Sequence, residues 1–453
     1  MPSPDPLFNR SSHDYGLWCN AISSFQWEVP LPHFRRLRQR FPRPVVSDIP
    51  AAVAHAMDSQ GGAAKLGDGR RVVITAGSRG IARIPEVLSA VVAQVRRYGG
   101  SPVLVPAMGS HGRATAEGQR ELLAELGITP ESVGAPIEAT MEVVHLGDLP
   151  NGMPVYMDRI AAAADAILVV NRVKPHTDFR GTWESGLGKM IAIGLGKRKG
   201  ADTVHRYGPD GLRDLLPQMA RMAVEKKPIA MGVAIVENAY DEVADIVGVP
   251  PSGIAGPEEA ALLVRARDLM ASLPFEEIDV LIVDEMGKNI TGAGMDPNIL
   301  GRMKVFGTPD MPKPRIRVVT VHDITKESHG NATGIGLADV TTRRLVDKVD
   351  FEATYINGLT SGLGAIYRIC LPVVAPDDRA AVLTALRVCG RHDPAGARVV
   401  RIKNTLKLEE IDVSEGLWAE AGAVERLSPV SDPFELRFDE RGQMPSFEET
   451  IST

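Results

Sequence analysis

Three loops of this 453-residue chain carry the side chains best suited to proton chemistry on an anion. "RVVIT" runs into "AGSRG" with Arg79, "SPVLVPAM" into "GSHG" with His111, and "DAILVV" into "NRVKPH" with Lys174 and His176. Histidine, with an unperturbed pKa of about 6.5, accepts and returns a proton at neutral pH, and arginine grips a carboxylate with a planar fork. Two such bases on opposite sides of an anionic substrate suggest inversion of a stereocentre. The stretch 171–208 then sets Lys189 and His205 among seven glycines and a run of further basic residues. Its basicity is local, because the whole chain has a formal charge of −6. Nucleic acid would call for a wider positive surface with stacking aromatics, and the chain is 5% aromatic, so a small anionic ligand is the better match.

Competing chemistries lack their residues. Neither "GK" of 171–208 has the upstream glycine or the following Ser/Thr of a P-loop, and no G-x-G-x-x-G follows the first strand, which speaks against an ordinary nicotinamide dehydrogenase. A zinc hydrolase finds no H-E-x-x-H. Cys19, Cys370 and Cys389 are too scattered for a disulfide framework or a cysteine zinc site, which suggests a reducing compartment. The first residues show no basic start followed by an apolar core, and no apolar run reaches membrane-spanning length, so a cytoplasmic location is expected. His13, His33, His55, His145 and His392 read as ordinary surface or core histidines.

The elements that must hold these loops are near-continuous apolar runs, the three above together with "KPIAMGVAIV", "IDVLIVDEMG" and "RIRVVTVHDI". Such runs suit sheets buried on both faces. Between them lie helical patterns such as "IPEVLSAVVAQVRRYGG", with Pro85 near its start and Gly99 near its stop. The fold class is α/β with largely parallel sheets. Ligands of open α/β sheets collect beyond the carboxyl ends of the strands, so Arg79, His111 and His176 are expected to converge. A break after "GPEEAALLVRARDLMASLP" predicts domains 1–275 and 276–453, the first catalytic and cofactor-binding, with the tail beyond about 428 packing back on the first domain or fraying.

Six motifs in order, "GSRGIARIPE", "PAMGSHGRAT", "NRVKPHTDF", "GLGKMIAIGLG", "DTVHRYG" and "GMDPNILGRMK", resemble the nickel-dependent lactate racemase family over most of residues 70–305. The resemblance implies two Rossmann-like domains with the active site between them, and a nickel pincer nucleotide, a pyridinium mononucleotide with thioamide and thiocarboxylate arms. It assigns the tether to Lys189, with Gly188 and Lys174 beside it, and the protein's nickel ligand to His205. His111 and His176 would take the substrate hydroxyl proton as the Cα hydrogen leaves as hydride, and Arg79 and Lys304 would bind the carboxylate. The implied activity is racemisation or epimerisation of a 2-hydroxy acid, with the substrate and, transiently, cofactor-synthesis enzymes as partners, and no nucleic acid or membrane.

Lys197 to Lys199 are expected either at the nucleotide phosphate or on a solvated turn. Three departures qualify the match. Ala76 replaces an acidic residue, Gly301 replaces a glutamine, and "FRGTWES" adds length between His176 and Lys189. The two smaller side chains predict room for a larger substrate, such as a sugar acid. The alternative reading is a non-catalytic paralogue that binds an anion or the cofactor.

Overall fold

The computed structural model describes residues 29–451, so Cys19 and His13 lie outside the described residues. The fold is mixed α/β, in two compact units with largely parallel sheets: Pro42–Met270, and a second made, among the described residues, of 29–41 together with 271–451. Among the described residues no helix is long and apolar enough to cross a membrane.

The unit Pro42–Met270 is built on five strands in the spatial order Ser101–Pro106, Arg71–Ala76, Ala166–Arg172, Ile229–Glu237, Val243–Val249. The first four run parallel and the last closes an antiparallel hairpin. Both faces are covered, which is why these strands read as unbroken apolar runs: Val72, Ile74 and Leu168 pack into one core and Val73, Ile167 and Val169 into the other. The helix Ile84–Arg97 buries Val87, Leu88, Val91 and Val95 at helical spacing, and Gly99 follows its end at φ +87°. Numbered along the chain, the strand order is 2-1-3-4-5, so strand order reverses beside Arg71–Ala76.

At that reversal the ladder stops early. Arg71–Ala76 pairs with Ala166–Arg172 only from Val72↔Ala166 to Ile74↔Leu168. Beyond it the Thr75 hydroxyl takes over, donating to Val170 O at 3.2 Å and accepting from Val170 N at 2.9 Å. A side chain thus satisfies the backbone groups where the two strands part at their carboxyl ends.

The second unit centres on a nine-stranded sheet in which Glu277–Met286 lies between Arg315–Ile324 and Val399–Ile402, parallel to both. The strand His33–Gln39 belongs here, pairing antiparallel with Glu410–Ser414. A domain running unbroken from residue 1 to 275 is therefore corrected. The polar pattern of "HFRRLRQ" hid the strand, because Arg36 is buried against Asp412 at 2.7 Å instead of facing water. The tail also packs on its own unit: Arg36 lies over the Phe447 ring at 3.7 Å, and Arg401 donates to Pro445 O at 2.7 Å and Thr450 Oγ1 at 2.8 Å.

One buried cation ties the first unit's loops together. The helical run beginning at Leu187–Lys189 continues through a π-helical segment, Met190–Leu195, and is broken at Lys197, whose φ is +53°; a new helix, Lys197–His205, follows. Lys197 is fully buried. Its ammonium donates to Pro106 O at 2.5 Å and Gln119 Oε1 at 3.0 Å, and lies 3.1 Å from Asp158 Oδ2. Gln119 in turn donates to Gly109 O at 3.0 Å and His111 O at 3.3 Å. Lys197 is thus neither on a solvated turn nor open to a phosphate, because every acceptor around it is protein. Replacing Lys197 by Met should lower stability by about 3–5 kcal/mol, since it strands a buried carboxylate. Adding Asp158→Asn should recover a large part of that loss. Urea unfolding of the two variants checks both statements.

Candidate active site

The carboxyl ends of three adjacent parallel strands deliver the side chains singled out from sequence. Arg79 follows Arg71–Ala76, His111 follows Ser101–Pro106, and Lys174 and His176 follow Ala166–Arg172. Their charges feel one another. His111 senses Arg79, Lys189 and His205; Lys189 senses Arg79, Lys174 and Asp178; His205 senses Lys189 and Asp178. The break at Lys197 turns the chain so that His205 can share this field although sixteen residues separate it from Lys189. Arg79, His111, His176, Lys189 and His205, with Lys174, form one cluster, and Arg79, His111 and His205 keep surface open to solvent. Lys304 belongs to the other unit, on an exposed turn at φ +47°.

The His176–Lys189 pair is the tightest part. Nδ1 of His176 accepts the Asp178 N–H at 3.0 Å, and Nε2 lies 2.6 Å from Lys189 Nζ. With Nδ1 accepting, a neutral ring carries its hydrogen on Nε2 and points it at the lysine, an approach that favours the amine over the ammonium. The surroundings favour that form. Burial, and then Arg79 and Lys174, bring Lys189 down to about 8 against the pull of Asp178.

The imidazoles are held neutral by the same environment. Burial, followed by Arg79, Lys189 and His205, lowers His111 to about 4. Burial and then Lys189 hold His176 well below its usual range, and the same two causes lower His205, with Asp178 opposing both. Ser78 Oγ sits 2.5 Å from His111 Nδ1, fixing the ring.

Two carboxylates that the sequence reading passed over seat this arrangement. Glu184, inside the added "FRGTWES", is buried and accepts from His176 N at 2.6 Å, Gly181 N at 3.2 Å and Arg267 Nη2 at 2.5 Å. Trp183 beside it donates to Gly256 O at 2.7 Å and carries Arg221 over its ring. The insertion is therefore a brace under His176. Glu259 is buried too, and accepts from Gly188 N at 3.1 Å and Ala255 N at 2.7 Å. Gly188 was expected at the cofactor, but its N–H is committed to Glu259 and a Cβ there would meet Ala255 Cβ at 3.3 Å, so it serves to seat the Lys189 turn. The signal for Glu259 was only an acidic pair in the first turn of the helix Pro257–Leu269.

The departures at Ala76 and Gly301 also take on a different meaning. Ala76 is buried in the sheet core, and its carbonyl accepts from Ala107 N at 2.8 Å. Gly301 ends the helix Pro297–Leu300 at φ +69°, where a Cβ would fall 2.0 Å from Pro314 O. Neither opens space for a larger ligand.

A cluster of this kind binds anions and offers few metal donors. Among the described residues, no group of three or more His, Cys, Asp and Glu is placed to hold a metal ion. A metal here would need donors brought by a ligand, with a neutral imidazole such as that of His205 completing its shell. That donor set fits a nucleotide that carries its own metal-binding arms.

The lowered pKa values fix a pH dependence. A histidine kept neutral in the fold but free to protonate when unfolded makes stability rise with pH between its folded and unfolded values, which for His111 runs from about 4 to about 6.5. The unit Pro42–Met270 should therefore lose stability as pH falls through that window, and binding an anion should raise these pKa values and take up protons. Urea denaturation across pH 4–7, and calorimetric binding of phosphate in buffers of different ionisation enthalpy, measure the two effects. Stability flat across the window, with no proton uptake, would contradict this electrostatic picture.

Comparison with known proteins places this geometry. Residues 38–209 match the family described as the lactate racemase N-terminal domain. The lactate racemase apoprotein from Thermoanaerobacterium thermosaccharolyticum has a similar fold, with a TM-score of 0.50 and 11% identity over 82% of this chain and 93% of that one. A protein from Thermotoga maritima is similar over 62% of this chain and 72% of its own, with 16% identity and a TM-score of 0.46. No curated protein matches the chain. The matched segment spans the loops of Arg79, His111, His176, Lys189 and His205, so the part of the chain that carries the cluster is similar to the lactate racemase N-terminal domain.

Proposed function

We propose that this protein racemises or epimerises a 2-hydroxy acid with the help of a nickel pincer nucleotide. The observation that supports this best is the gathering, at one sheet edge, of an arginine, two imidazoles on separate loops whose pKa values are lowered, and a lysine amine brought down to about 8. When bound, the nucleotide would supply a reversible hydride acceptor. The protein's own residues do the rest.

Arg79 presents its guanidinium to the substrate carboxylate, and Lys304 of the other unit is assigned to the same group. His111 and His176 reach the site from different strands, one for each face of the substrate carbon. Both have lowered pKa values, as suits a base, and one of them takes the hydroxyl proton at a ring nitrogen as the Cα hydrogen leaves as hydride. The proton is given back when the hydride returns to the opposite face, which inverts the centre. His176 reaches that task through Nε2, since Nδ1 is occupied by the Asp178 N–H. Lys189, brought down to about 8 beside His176, would hold an arm of the nucleotide, and Lys174 would add positive charge beside it. His205 would supply a protein ligand to the nucleotide's nickel.

His111→Ala and His176→Ala should each reduce racemisation by about 100-fold to 10,000-fold while the cofactor stays bound. Chiral chromatography of the products and nickel content by mass spectrometry read the two halves of that statement. Protein made together with the cofactor-synthesis enzymes should carry an adduct of a few hundred daltons, roughly a mononucleotide, on the Lys189 peptide. Lys189→Ala should lose it, and His205→Ala should hold nickel more weakly. Full nickel content and full activity in both variants would sink the assignment, whereas nickel-loaded protein that inverts no 2-hydroxy acid would mark the non-catalytic paralogue.

A further inference from the structure

The first unit holds a pocket at the edge of its sheet opposite to the cluster. It encloses about 360 Å³, within the usual range of roughly 300–1,000 Å³ for small-ligand sites. Ala162 and Ala163, in its wall, precede the strand Ala166–Arg172, and Lys226 and Lys227 precede the strand Ile229–Glu237. The pocket therefore lies at the amino ends of a sheet whose carboxyl edge carries the cluster. The length of Ala166–Arg172 sets the two edges about 20 Å apart, at roughly 3.3 Å per residue, so no small ligand reaches both. The cations of the pocket are Arg159, Lys226 and Lys227, joined by His145, and its lining contains no carboxylate.

Lys226 and Lys227 are neighbours in sequence yet are fastened to different walls. The helix Leu216–Lys226 ends between them, and Lys227 turns extended at φ −132° and ψ 153°. Lys226 donates to Leu146 O at 2.7 Å, whereas Lys227 donates to Ala162 O at 3.1 Å. The hairpin that carries Leu146, Val143–Asp148 against Pro154–Asp158, is shaped for the first contact. Its register shifts between His145 and Gly147, and Gly147 has φ +139°, where a Cβ would fall 2.6 Å from Lys226 Nζ. A side chain there would push the ammonium off its carbonyl. A cation in the last turn suits the field of a helix, but that field does not send it across to another element. Among the described residues neither ammonium has a carboxylate partner, whereas Arg159 pairs with Glu142 at 3.0 Å and His145 with Asp148 at 2.8 Å. An ammonium has three N–H groups and each carbonyl takes one, so both lysines keep donors for a ligand.

Two ammoniums without counter-ions select a dianion over a monoanion, and donors on two walls suit a group with oxygens facing both ways. A phosphate monoester meets both conditions, with a charge of about −1.5 to −2 at pH 7 and three terminal oxygens. A carboxylate offers one charge and two coplanar oxygens. The remaining wall is apolar: Val144, Leu146 and Ala162 rest on the hydrophobic core and are only partly buried by it. We infer that this pocket is a second ligand site, binding the phosphate of a small phosphate monoester on Lys226 and Lys227 and its organic body against Val144, Leu146 and Ala162. Arg159 adds attraction at longer range. The inference is independent of the racemase reading, because no residue of the pocket belongs to the cluster.

Lysine labelling of the full-length protein tests the site, with phenyl phosphate as the probe. The protein is acetylated briefly with and without the probe, and the modification of each lysine is read by peptide mass spectrometry. Saturating probe should slow labelling of Lys226 and Lys227 by about tenfold or more, following site occupancy, and leave the exposed Lys326 of the second unit unchanged. Inorganic phosphate should protect the same two lysines at higher concentration, and benzoate, with an apolar body and one charge, should protect them least. Arg79→Ala should keep the protection, since the cluster takes no part in it. Lys226→Gln should remove most of the protection at Lys227, and circular dichroism verifies the fold of both variants. Labelling of Lys226 and Lys227 that phenyl phosphate leaves unchanged up to its solubility limit overturns the inference. Protection lost in Arg79→Ala, protection of Lys227 undiminished in Lys226→Gln, or benzoate protecting as well as phenyl phosphate overturns it equally.

Discussion

Positive charge gathered at the carboxyl ends of three strands, with Asp178 as the main opposing charge, is the condition on which the rest of this site depends. Arg79, Lys174, Lys189 and three imidazoles cannot all be charged at such proximity in partly dehydrated surroundings. The molecule eases the conflict by shifting these groups toward deprotonation, leaving neutral imidazoles and a lysine that gives up its proton more readily than usual, and the deprotonated forms are those that accept protons and attack electrophiles. The same crowding leaves a standing attraction for an anion. Reactivity and affinity here are two results of one electrostatic arrangement.

Holding that arrangement requires acids, and they are placed behind the site instead of inside it. Glu184 accepts from the backbone of His176, Glu259 from Gly188 and Ala255, and Asp158 faces Lys197. Each carboxylate is spent on N–H groups or on one buried ammonium, so it fixes loop geometry without neutralising the cleft. The local strand and helix chemistry serves the same end. Thr75 replaces a ladder bond where two strands part, and the break at Lys197 turns the second helix back toward the cluster.

Much of this was legible in the sequence because it is periodic. The six apolar runs form strands, and the loops that follow three of them meet as parallel topology requires. The parts that stayed hidden lack periodic signals. His33–Gln39 reads as a polar stretch because Arg36 is buried only by virtue of Asp412, nearly four hundred residues away. Glu184 lies in an apparent insertion, and nothing local distinguishes a brace from a surface loop. Lys197 was read with its basic neighbours, although Lys199 remains at the surface, because burial of a lysine depends on three acceptors from three distant segments. At Ala76 and Gly301 small side chains suggested space, and the surrounding backbone had already filled it.

Lys197 also shows how stabilising substitutions can be misjudged. Its backbone lies where glycine is the favoured residue, and relieving a left-handed conformation is ordinarily worth about 1 kcal/mol. A survey of backbone angles would nominate glycine there as an improvement. The side chain, however, joins the end of one strand, the glutamine that steadies the His111 loop and the carboxylate of Asp158, so the conformational cost is the smaller term by several-fold. At this position torsion angles and packing recommend opposite residues, and only an inventory of what the ammonium touches decides between them.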